Sequence, residues 1–490
     1  PVSSFSLLAR LTGALTAPLS AVPVLLLLVF YCLPMVIRGG NLPKESSLLV
    51  VFLLAALVSS AGAYFLDIPS FKGKTVPDQE LRALFTVAIG VAFYFVFAIY
   101  PSSAERLRKS WQWINLGGAL AMGWSLVQAF FIFQHAAYYP GWIQAVQDFF
   151  VIPSPQLTLW NQRVNAFTYE ASWFAHQMVI FYLPLWFAAS FQGTSAYKFR
   201  LWRISVENVL LVVGMLCFFL TSPRVGLLSF LLMVGYLFVV LNLRLLKRLM
   251  RKINALPAMQ RSPARKPMQI VTVIGLSLLF VAFYLGLLLG AVYLGSTRDT
   301  RLALLLETTF TPEDLKGALT LNEWVWLTIS LRLAFMERMI YWIAGMKVFQ
   351  MFPLLGVGLG NTGFFFPSTL PALSWTSVEV RSLLYRIKGF PNTKSLWVRL
   401  LSETGVVGFA IFVAWIYILF RSALLSYRSK DPLIKTLALA GQLCLVAMIG
   451  EGFSIDSFAM PYLWAMVGLI SAVGMLYRQE AKEQLLLRVE

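Results

Sequence analysis

The chain has 490 residues, of which 59% are hydrophobic and 13% charged, and its mean hydropathy is +0.73. A soluble globular protein carries roughly 25% charged residues, so this composition excludes a water-soluble enzyme and predicts an integral membrane protein. The apolar runs are long and continuous, which favours membrane-spanning helices over an outer-membrane β-barrel. Three cysteines inside apolar runs and only two histidines predict neither a disulfide framework nor a metal site.

Apolar segments of about 20 residues, the length that crosses a bilayer, predict eleven spans. They lie at 20–37, 47–66, 82–100, 112–135, 171–191, 206–222, 225–243, 270–294, 402–420, 433–450 and 461–477. The shorter segment from Phe5 to Ala17 carries Arg10 and fits either a twelfth span or a helix in the membrane interface. We therefore expect an all-α polytopic membrane protein with about 11–12 transmembrane helices.

The net charge of +18 is concentrated in short segments, and the densest, Arg244 to Lys266, has eight Lys/Arg and no acidic residue. Such clusters mark the cytoplasmic loops of polytopic proteins, so we interpret the charge as an orientation signal and expect no nucleic-acid partner. The cytoplasmic segments are then 101–111, 192–205, 244–269, 421–432 and the C-terminus. The outward-facing segments are 67–81, 136–170, 295–401 and 451–460.

The outward segment 295–401 is much longer than an ordinary connection, which has a median of about 4–6 residues. Helical periodicity at 321–350 predicts an amphipathic helix on the outer membrane surface. The glycine-rich run that follows, Pro353 to Asn361, predicts a turn that a continuous helix would not tolerate. The chain thus divides into an N-terminal transmembrane bundle, a large loop domain, and C-terminal transmembrane helices with a short cytoplasmic tail, at 1–294, 295–401 and 402–490.

Ionisable residues gather at the outer ends of several spans, where their cost favours a functional interpretation. Arg224 follows Pro223, Glu170 and His176 open the fifth span, and Glu403 opens the ninth. Glu451 and Asp456 border the short outer segment, and the basic residues Arg163, Arg332 and Arg338 also face outward. Arginine binds phosphate oxygens through two N–H groups at once, and buried carboxylates accept protons. Surface ion pairing is the alternative, and we interpret His135 and His176 as packing residues.

A family resemblance rests on four motifs that occur in order. Lys394-Ser395 is followed by nine residues and then by Gly405-Val-Val-Gly408. Upstream lie the proline–glycine turn at 353–361, the Ser222-Pro-Arg224 sequence and the stretch from Arg163 to Ala175. Over roughly residues 160–470 this order resembles the bacterial O-antigen ligase and O-antigen or exopolysaccharide polymerase superfamily of integral membrane glycosyltransferases.

The resemblance implies a GT-C-like fold in the bacterial inner membrane, with one large periplasmic loop and an active site facing the periplasm. It implies a glycan donor linked to undecaprenyl pyrophosphate, and an acceptor that is a lipid-linked glycan or the lipid A core of lipopolysaccharide. Membrane lipids surround the chain, and a chain-length regulator or a second copy of the chain is a further partner. No cofactor or metal is expected.

The first motif position departs from the ligases, which have histidine where this chain has Lys394. With Glu170 and Ser172 upstream, the chain looks more like the polymerase branch. We therefore predict a polysaccharide polymerase that is a metal-independent glycosyltransferase. A ligase that transfers the glycan to lipid A core or protein is the alternative. A transporter of lipid-linked oligosaccharide is a second alternative, but the sequence lacks the repeated halves of many transporters.

The site residues follow from the resemblance and from the clustered charges. The catalytic candidates are Lys394, Glu403 and Glu170. The candidates for binding pyrophosphate are Arg163, Arg224, Arg338 and Arg332, and those that shape the loops are Gly356, Gly358, Gly360 and Gly405. Lys394 is either the base or a ligand of the pyrophosphate, and in the second case Glu403 or Glu170 accepts the proton. An unperturbed lysine, with a pKa of about 10.4, is protonated at neutral pH. We favour the ligand because several nearby cations already need an anionic ligand and Glu403 lies two to three helical turns further on.

The orientation can be tested by cysteine labelling in a variant without native cysteines. Single cysteines placed in 300–320 or 370–390 should react with a membrane-impermeant thiol reagent in intact spheroplasts. Cysteines in 250–265 should react only after the membrane is permeabilised, because the basic segment is expected in the cytoplasm. The reverse pattern would overturn the orientation.

Overall fold

The computed structural model describes the chain apart from residues 1, 3, 13–15, 135–138, 153–162, 222–223, 256–264, 297–302, 305–306, 321, 388 and 487–490. His135, Ser222 and Pro223, which the sequence singled out, lie outside the described residues. Within the described residues the regular elements are helices, and β structure is limited to three isolated bridges.

Sixteen helices are numbered here in chain order, and the short helical turns between 362 and 386 are left unnumbered. The first eight are α1 (Ser6–Thr12), α2 (Ala21–Ile37), α3 (Ser46–Ala63), α4 (Val76–Ile99), α5 (Ala104–Phe133), α6 (Gly141–Phe150), α7 (Ala171–Gln192) and α8 (Val206–Leu220). The others are α9 (Arg224–Ala255), α10 (Arg265–Ser296), α11 (Pro312–Leu319), α12 (Glu323–Arg332), α13 (Met336–Met351), α14 (Leu396–Ser426), α15 (Pro432–Glu451) and α16 (Pro461–Leu486).

Eight of the described helices are long and apolar enough to cross a membrane, namely α3, α4, α5, α7, α9, α10, α14 and α15. The chain is therefore a multi-pass membrane protein, as its composition predicts. The other three predicted spans coincide with α2, α8 and α16, of which α2 and α8 are apolar but shorter. The described part of α1 has 7 residues, about 10 Å of helix, and does not reach across a hydrocarbon core of about 30 Å.

The helices begin where the sequence supplies capping side chains. Ser103, Ser205 and Ser395 each accept a backbone N–H in the first turn of α5, α8 and α14, and Asp431 does so for α15. Such caps satisfy N–H groups that have no partner inside the helix. Contacts at the two ends of α14 distinguish two faces of the bundle: Arg338 of α13 bonds to the carbonyl of Lys394 just before α14, and Gln192 of α7 bonds to Tyr427 just after it. We call the face with the end of α9 the basic end, and the face with α12 and α13 the loop end.

The most buried helices are α7, α15 and the apolar part of α16, and they lie at the centre of the bundle. α16 packs against α4, where Gly90 lies so close to Trp464 that an added Cβ would be 2.2 Å from the indole nitrogen. At the basic end, Arg478 of α16 forms two hydrogen bonds with the buried Glu45, at 2.7 and 3.0 Å. By contrast, the apolar window of α10 has no buried residue, as expected for a helix that faces lipid.

The segment 321–350 forms two helices, α12 and α13, where the sequence predicted a single amphipathic helix. The helix ends after Arg332, and Ala334 adopts a positive φ of 48°. The Nη1 group of Arg224 donates to the Ala334 carbonyl at 2.7 Å, which satisfies a backbone acceptor at the break. The helical periodicity continues through this break, so it could not reveal it.

α14 is interrupted at Gly405, which has φ 62° and ψ −170°. The N–H of Val406 donates to the Pro353 carbonyl at 2.8 Å instead of to a carbonyl in its own helix. In the other direction, the N–H groups of Val357 and Gly358 donate to the carbonyls of Ser402 and Glu403, each at 3.0 Å. The turn at 353–361 therefore lies in the break of α14 and exchanges backbone hydrogen bonds with it.

Glycine is required on both sides of this contact. A Cβ at Gly405 would lie 2.1 Å from the Leu354 oxygen, and one at Gly356 would lie 2.5 Å from the Glu403 carbonyl carbon. Gly358 and Gly360 complete the set, and all four glycines have φ between 62° and 83°. The sequence assigned these same four glycines to loop geometry.

Replacing Gly405 with alanine should lower the thermal stability of the purified protein by several degrees. A positive φ at a non-glycine residue costs roughly 1–3 kcal/mol, and the added methyl group would also displace the backbone at Leu354. Gly123→Ala is the matched control, because Gly123 lies in α5 with no atom within 4 Å of an added Cβ. Melting temperatures in detergent compare the two. Equal melting temperatures for both variants would mean that the break does not require glycine.

Candidate active site

Two adjoining cavities open at the loop end of the bundle. The first has a volume of about 730 Å³ and the second about 470 Å³. Six residues line both, namely Glu170, Ser172, His176, Arg338, Lys394 and Ser454. The cavities therefore meet at a shared wall that carries a carboxylate, two cations and an imidazole.

Three arginines from different segments line the first cavity. Arg163 donates from Nε to the Thr221 carbonyl at 2.6 Å, and Arg224 donates to the carbonyl of Ala334. Arg338 donates from Nη1 to the Lys394 carbonyl at 3.0 Å. A guanidinium group has five N–H donors, so a bond to a fixed carbonyl orients it while leaving it the capacity to bind an anion. The structure thus places Arg163, Arg224 and Arg338 on the walls of one cavity.

Arg332, the fourth predicted phosphate ligand, is not among the residues that line either cavity. Its Nη2 lies 2.6 Å from Asp314, and Nη1 donates to the Thr309 carbonyl at 3.3 Å. The hydrogen bond from Arg332 holds the pKa of Asp314 at about 2, with the backbone N–H of Thr311 as a second cause. Arg332 therefore joins α12 to α11 instead of facing the other arginines.

Lys394 lies on the shared wall with its Nζ 3.5 Å from the carboxylate of Asp456. Burial opposes ionisation of Asp456, but the charges of Lys394, Arg338 and Arg399 outweigh it and lower the pKa of this carboxyl. Asp456 is therefore ionised at neutral pH and forms an ion pair with Lys394. The structure thus gives Lys394 a carboxylate partner on the cavity wall, and its role as a ligand of the pyrophosphate stays a prediction.

Glu403 lines the second cavity but is already engaged. Its Oε2 lies 2.9 Å from Nε of Arg399 one helical turn earlier, and the backbone N–H of Gly360 also donates to the carboxylate. Arg399 in turn donates to the Asp456 carbonyl at 2.6 Å and lies over the Phe458 ring. Glu403 thus connects α14 to the glycine turn and to the segment that carries Asp456.

Glu170 is the only carboxylate among the six shared residues. Its side chain accepts a hydrogen bond from the Ser172 hydroxyl at 3.0 Å. The loop before it is fixed by the buried Gln128 of α5, whose Oε1 accepts the backbone N–H groups of Asn165 and Ala166 at 3.1 and 3.0 Å. Of the three catalytic candidates, Glu170 is therefore the carboxylate placed where both cavities meet.

Two residues on the cavity walls are not among the site residues predicted from the sequence. His176 is expected as a packing residue, yet its buried ring pairs through Nδ1 with the carboxylate of Glu451 and lies 3.4 Å from the Ser454 hydroxyl. Asp456 is expected only as a charge that borders the outer segment, yet it forms an ion pair with Lys394. Glu451 is the last residue of the apolar helix α15 and Asp456 follows five residues later, and acidic residues in that position are the sequence signal that could have identified them.

The described residues contain no group of three or more His, Cys, Asp or Glu side chains placed to hold a metal ion. The positive groups on the cavity walls can instead bind an anion through charge-assisted hydrogen bonds. The wall at Glu170 can accept a proton from a hydroxyl group that reaches it from the second cavity.

The chain matches no protein-family model and no curated protein sequence. A functional assignment therefore depends on the chemistry of the two cavities and on the motifs that carry the resemblance.

The first cavity should bind inorganic pyrophosphate, and Arg338→Gln should weaken that binding by about tenfold. A hydrogen bond to a charged group contributes roughly 1.5–3 kcal/mol, and 1.4 kcal/mol corresponds to a factor of ten. Isothermal titration calorimetry on the detergent-purified protein measures the affinity. Arg332→Gln is the matched control, since it removes the same charge from the neighbouring helix outside the cavity. Equal weakening in both variants would show that binding reflects only net charge.

Proposed function

We propose that the chain is a polysaccharide polymerase, a membrane glycosyltransferase acting at the periplasmic face of the bacterial inner membrane. It transfers a glycan from undecaprenyl pyrophosphate to a sugar hydroxyl of a second lipid-linked glycan. The observation that carries this proposal is the convergence of Arg163, Arg224, Arg338 and Lys394 on one cavity of a multi-pass membrane protein. That cavity adjoins a second one across a wall bearing Glu170.

The first cavity suits the pyrophosphate of the donor. Its volume lies within the range of about 300–1,000 Å³ that is common for ligand sites. Planar guanidinium groups can each contact two phosphate oxygens, and Lys394 adds a further N–H donor group on the same wall. Glu337 and Glu379 also line this cavity, where they accept hydrogen bonds from Ser377 and Tyr341, at 3.4 and 3.3 Å. The four cations of the lining still outnumber its three carboxylates.

The second cavity suits the acceptor sugar. Its walls include the aromatic rings of Tyr169, Trp173 and Phe390, together with the amides of Gln79 and Asn392. Aromatic rings provide flat apolar surfaces, and amide groups can both donate to and accept from hydroxyl groups. A sugar bound there would present a hydroxyl towards Glu170 at the shared wall.

The transfer then proceeds as a substitution at the anomeric carbon of the donor glycan. The acceptor hydroxyl oxygen forms the new bond to this carbon, while the bond from the carbon to the pyrophosphate oxygen breaks. Glu170 takes the hydroxyl proton. The bonding electrons leave with undecaprenyl pyrophosphate, and the arginines and Lys394 stabilise its developing negative charge.

The proposal is tested with protein reconstituted in liposomes and supplied only with purified lipid-linked repeat units. The expected product is a ladder of glycans of increasing length. Glu170→Gln should reduce the rate by about a hundredfold or more, because general-base catalysis contributes typically 10²–10⁴-fold. It should not weaken pyrophosphate binding, because it removes a negative charge from the cavity that binds the anion. Glu313→Gln, an exposed substitution in α11 away from both cavities, is the control and should retain the native rate.

Two results would contradict the proposal in different ways. A product that forms only when lipid A core is added would identify a ligase. A native rate in Glu170→Gln would show that another group accepts the proton, while the ladder itself would still support polymerisation.

A further inference from the structure

A third cavity lies at the basic end of the bundle, at the opposite face from the candidate active site. Its volume is about 290 Å³. Five of the residues that line it are cations, and the other two are polar: Arg244, Lys247, Arg248, Arg251, Lys435, Gln192 and Tyr427. Four of the cations belong to α9, and Lys435 comes from α15, so two separate helices contribute the charge.

Arg244 is held in place by aromatic rings. Its guanidinium carbon lies 4.2 Å from the centre of the Phe191 ring and 5.2 Å from the centre of the Tyr427 ring. The Tyr427 hydroxyl accepts a hydrogen bond from Gln192 at 3.1 Å, and Lys435 lies 5.6 Å from the centre of the same ring. Cation–π contacts of this kind orient a guanidinium without neutralising its charge.

No carboxylate balances this group of cations within the described part of the chain. None of the five takes part in a described ion pair. The sequence from 244 to 269 has no acidic residue. Nearby, Asp431 caps α15, and Glu480 is bonded to Ser429 and Lys430. Like charges repel at short range, so an anion bound among them would lower the energy of this arrangement.

The role of Lys and Arg residues in setting membrane orientation does not account for this geometry. Orientation in the membrane depends on how many Lys and Arg residues a loop carries. It does not require a concave site, a guanidinium between two rings, or a lysine from another helix. The exposed apolar residues Leu243, Leu424 and Leu425 lie beside the cavity-lining residues in sequence, as expected where a site borders lipid.

We propose that this cavity binds a phosphate anion presented at the membrane surface, the chemistry shared by anionic phospholipid headgroups and free phosphate. Basic pockets between transmembrane helices bind phospholipid headgroups in this manner. Arg244 is the central ligand, and Lys435 contributes from α15. The inference does not depend on the proposed catalytic function.

The test uses native mass spectrometry of the intact, detergent-purified protein titrated with phosphatidylglycerol or, separately, phosphatidylcholine. The native protein should bind phosphatidylglycerol preferentially, and Arg244→Gln should weaken that binding about fivefold. This factor corresponds to about 1 kcal/mol for one cation near the surface. Lys435→Gln should have a similar effect and provides a second variant on a different helix. Lys252→Gln is the matched control, an exposed cation of α9 that does not line the cavity.

A competition with millimolar inorganic phosphate distinguishes a site that binds free phosphate from a site that binds only phospholipid headgroups. Displacement of phosphatidylglycerol from the native protein, but no effect on the residual binding of Arg244→Gln, supports a site that accepts either source. Phosphatidylglycerol binding that resists phosphate supports a lipid site. Equal binding of phosphatidylcholine, or native phosphatidylglycerol affinity in both Arg244→Gln and Lys435→Gln, would overturn the proposal.

Discussion

The turn at 353–361 and the break in α14 exchange backbone hydrogen bonds. In an uninterrupted helix, Val406 and Val407 would donate to the carbonyls of Ser402 and Glu403. Here these two N–H groups donate to Pro353 and Leu354, and the two carbonyls accept from Val357 and Gly358. The Ser59 hydroxyl of α3 also donates to the Glu403 carbonyl, at 2.6 Å. Unpaired backbone groups are costly where water is scarce, so the break is stable only while the turn occupies it.

The contact between the turn and the break lies close to residues of the cavity walls. Glu403 lies two residues before the break, and Lys394 lies just before the start of the same helix. Arg338 is tied to the Lys394 carbonyl, and Arg399 is tied to Glu403 and to the segment of Asp456. A cation-rich wall needs such fixed supports, because the positive groups would otherwise separate to reduce their repulsion. The placement of Lys394 and Glu403 on the cavity walls therefore depends on a backbone contact that includes neither side chain.

The sequence predicted the features that hydropathy and glycine patterns encode. Eight of its expected spans coincide with helices long and apolar enough to cross a membrane, and its four turn glycines all have positive φ. It did not predict the break at Ala334, because Arg224 stabilises that break from a distant helix. It also grouped Arg332 with the other arginines, since charge alone does not reveal a pairing with Asp314. These pairings arise from tertiary contacts, which a periodicity in the sequence does not record.

The most direct measurement of the central claim is an experimental structure of the full chain with a bound polyprenyl pyrophosphate. We expect density for both phosphates in the first cavity, within hydrogen-bonding distance of Arg224, Arg338 and Lys394, with Glu170 facing the sugar-bearing side. Density for the pyrophosphate outside this cavity, with these three side chains uncontacted, would contradict the account.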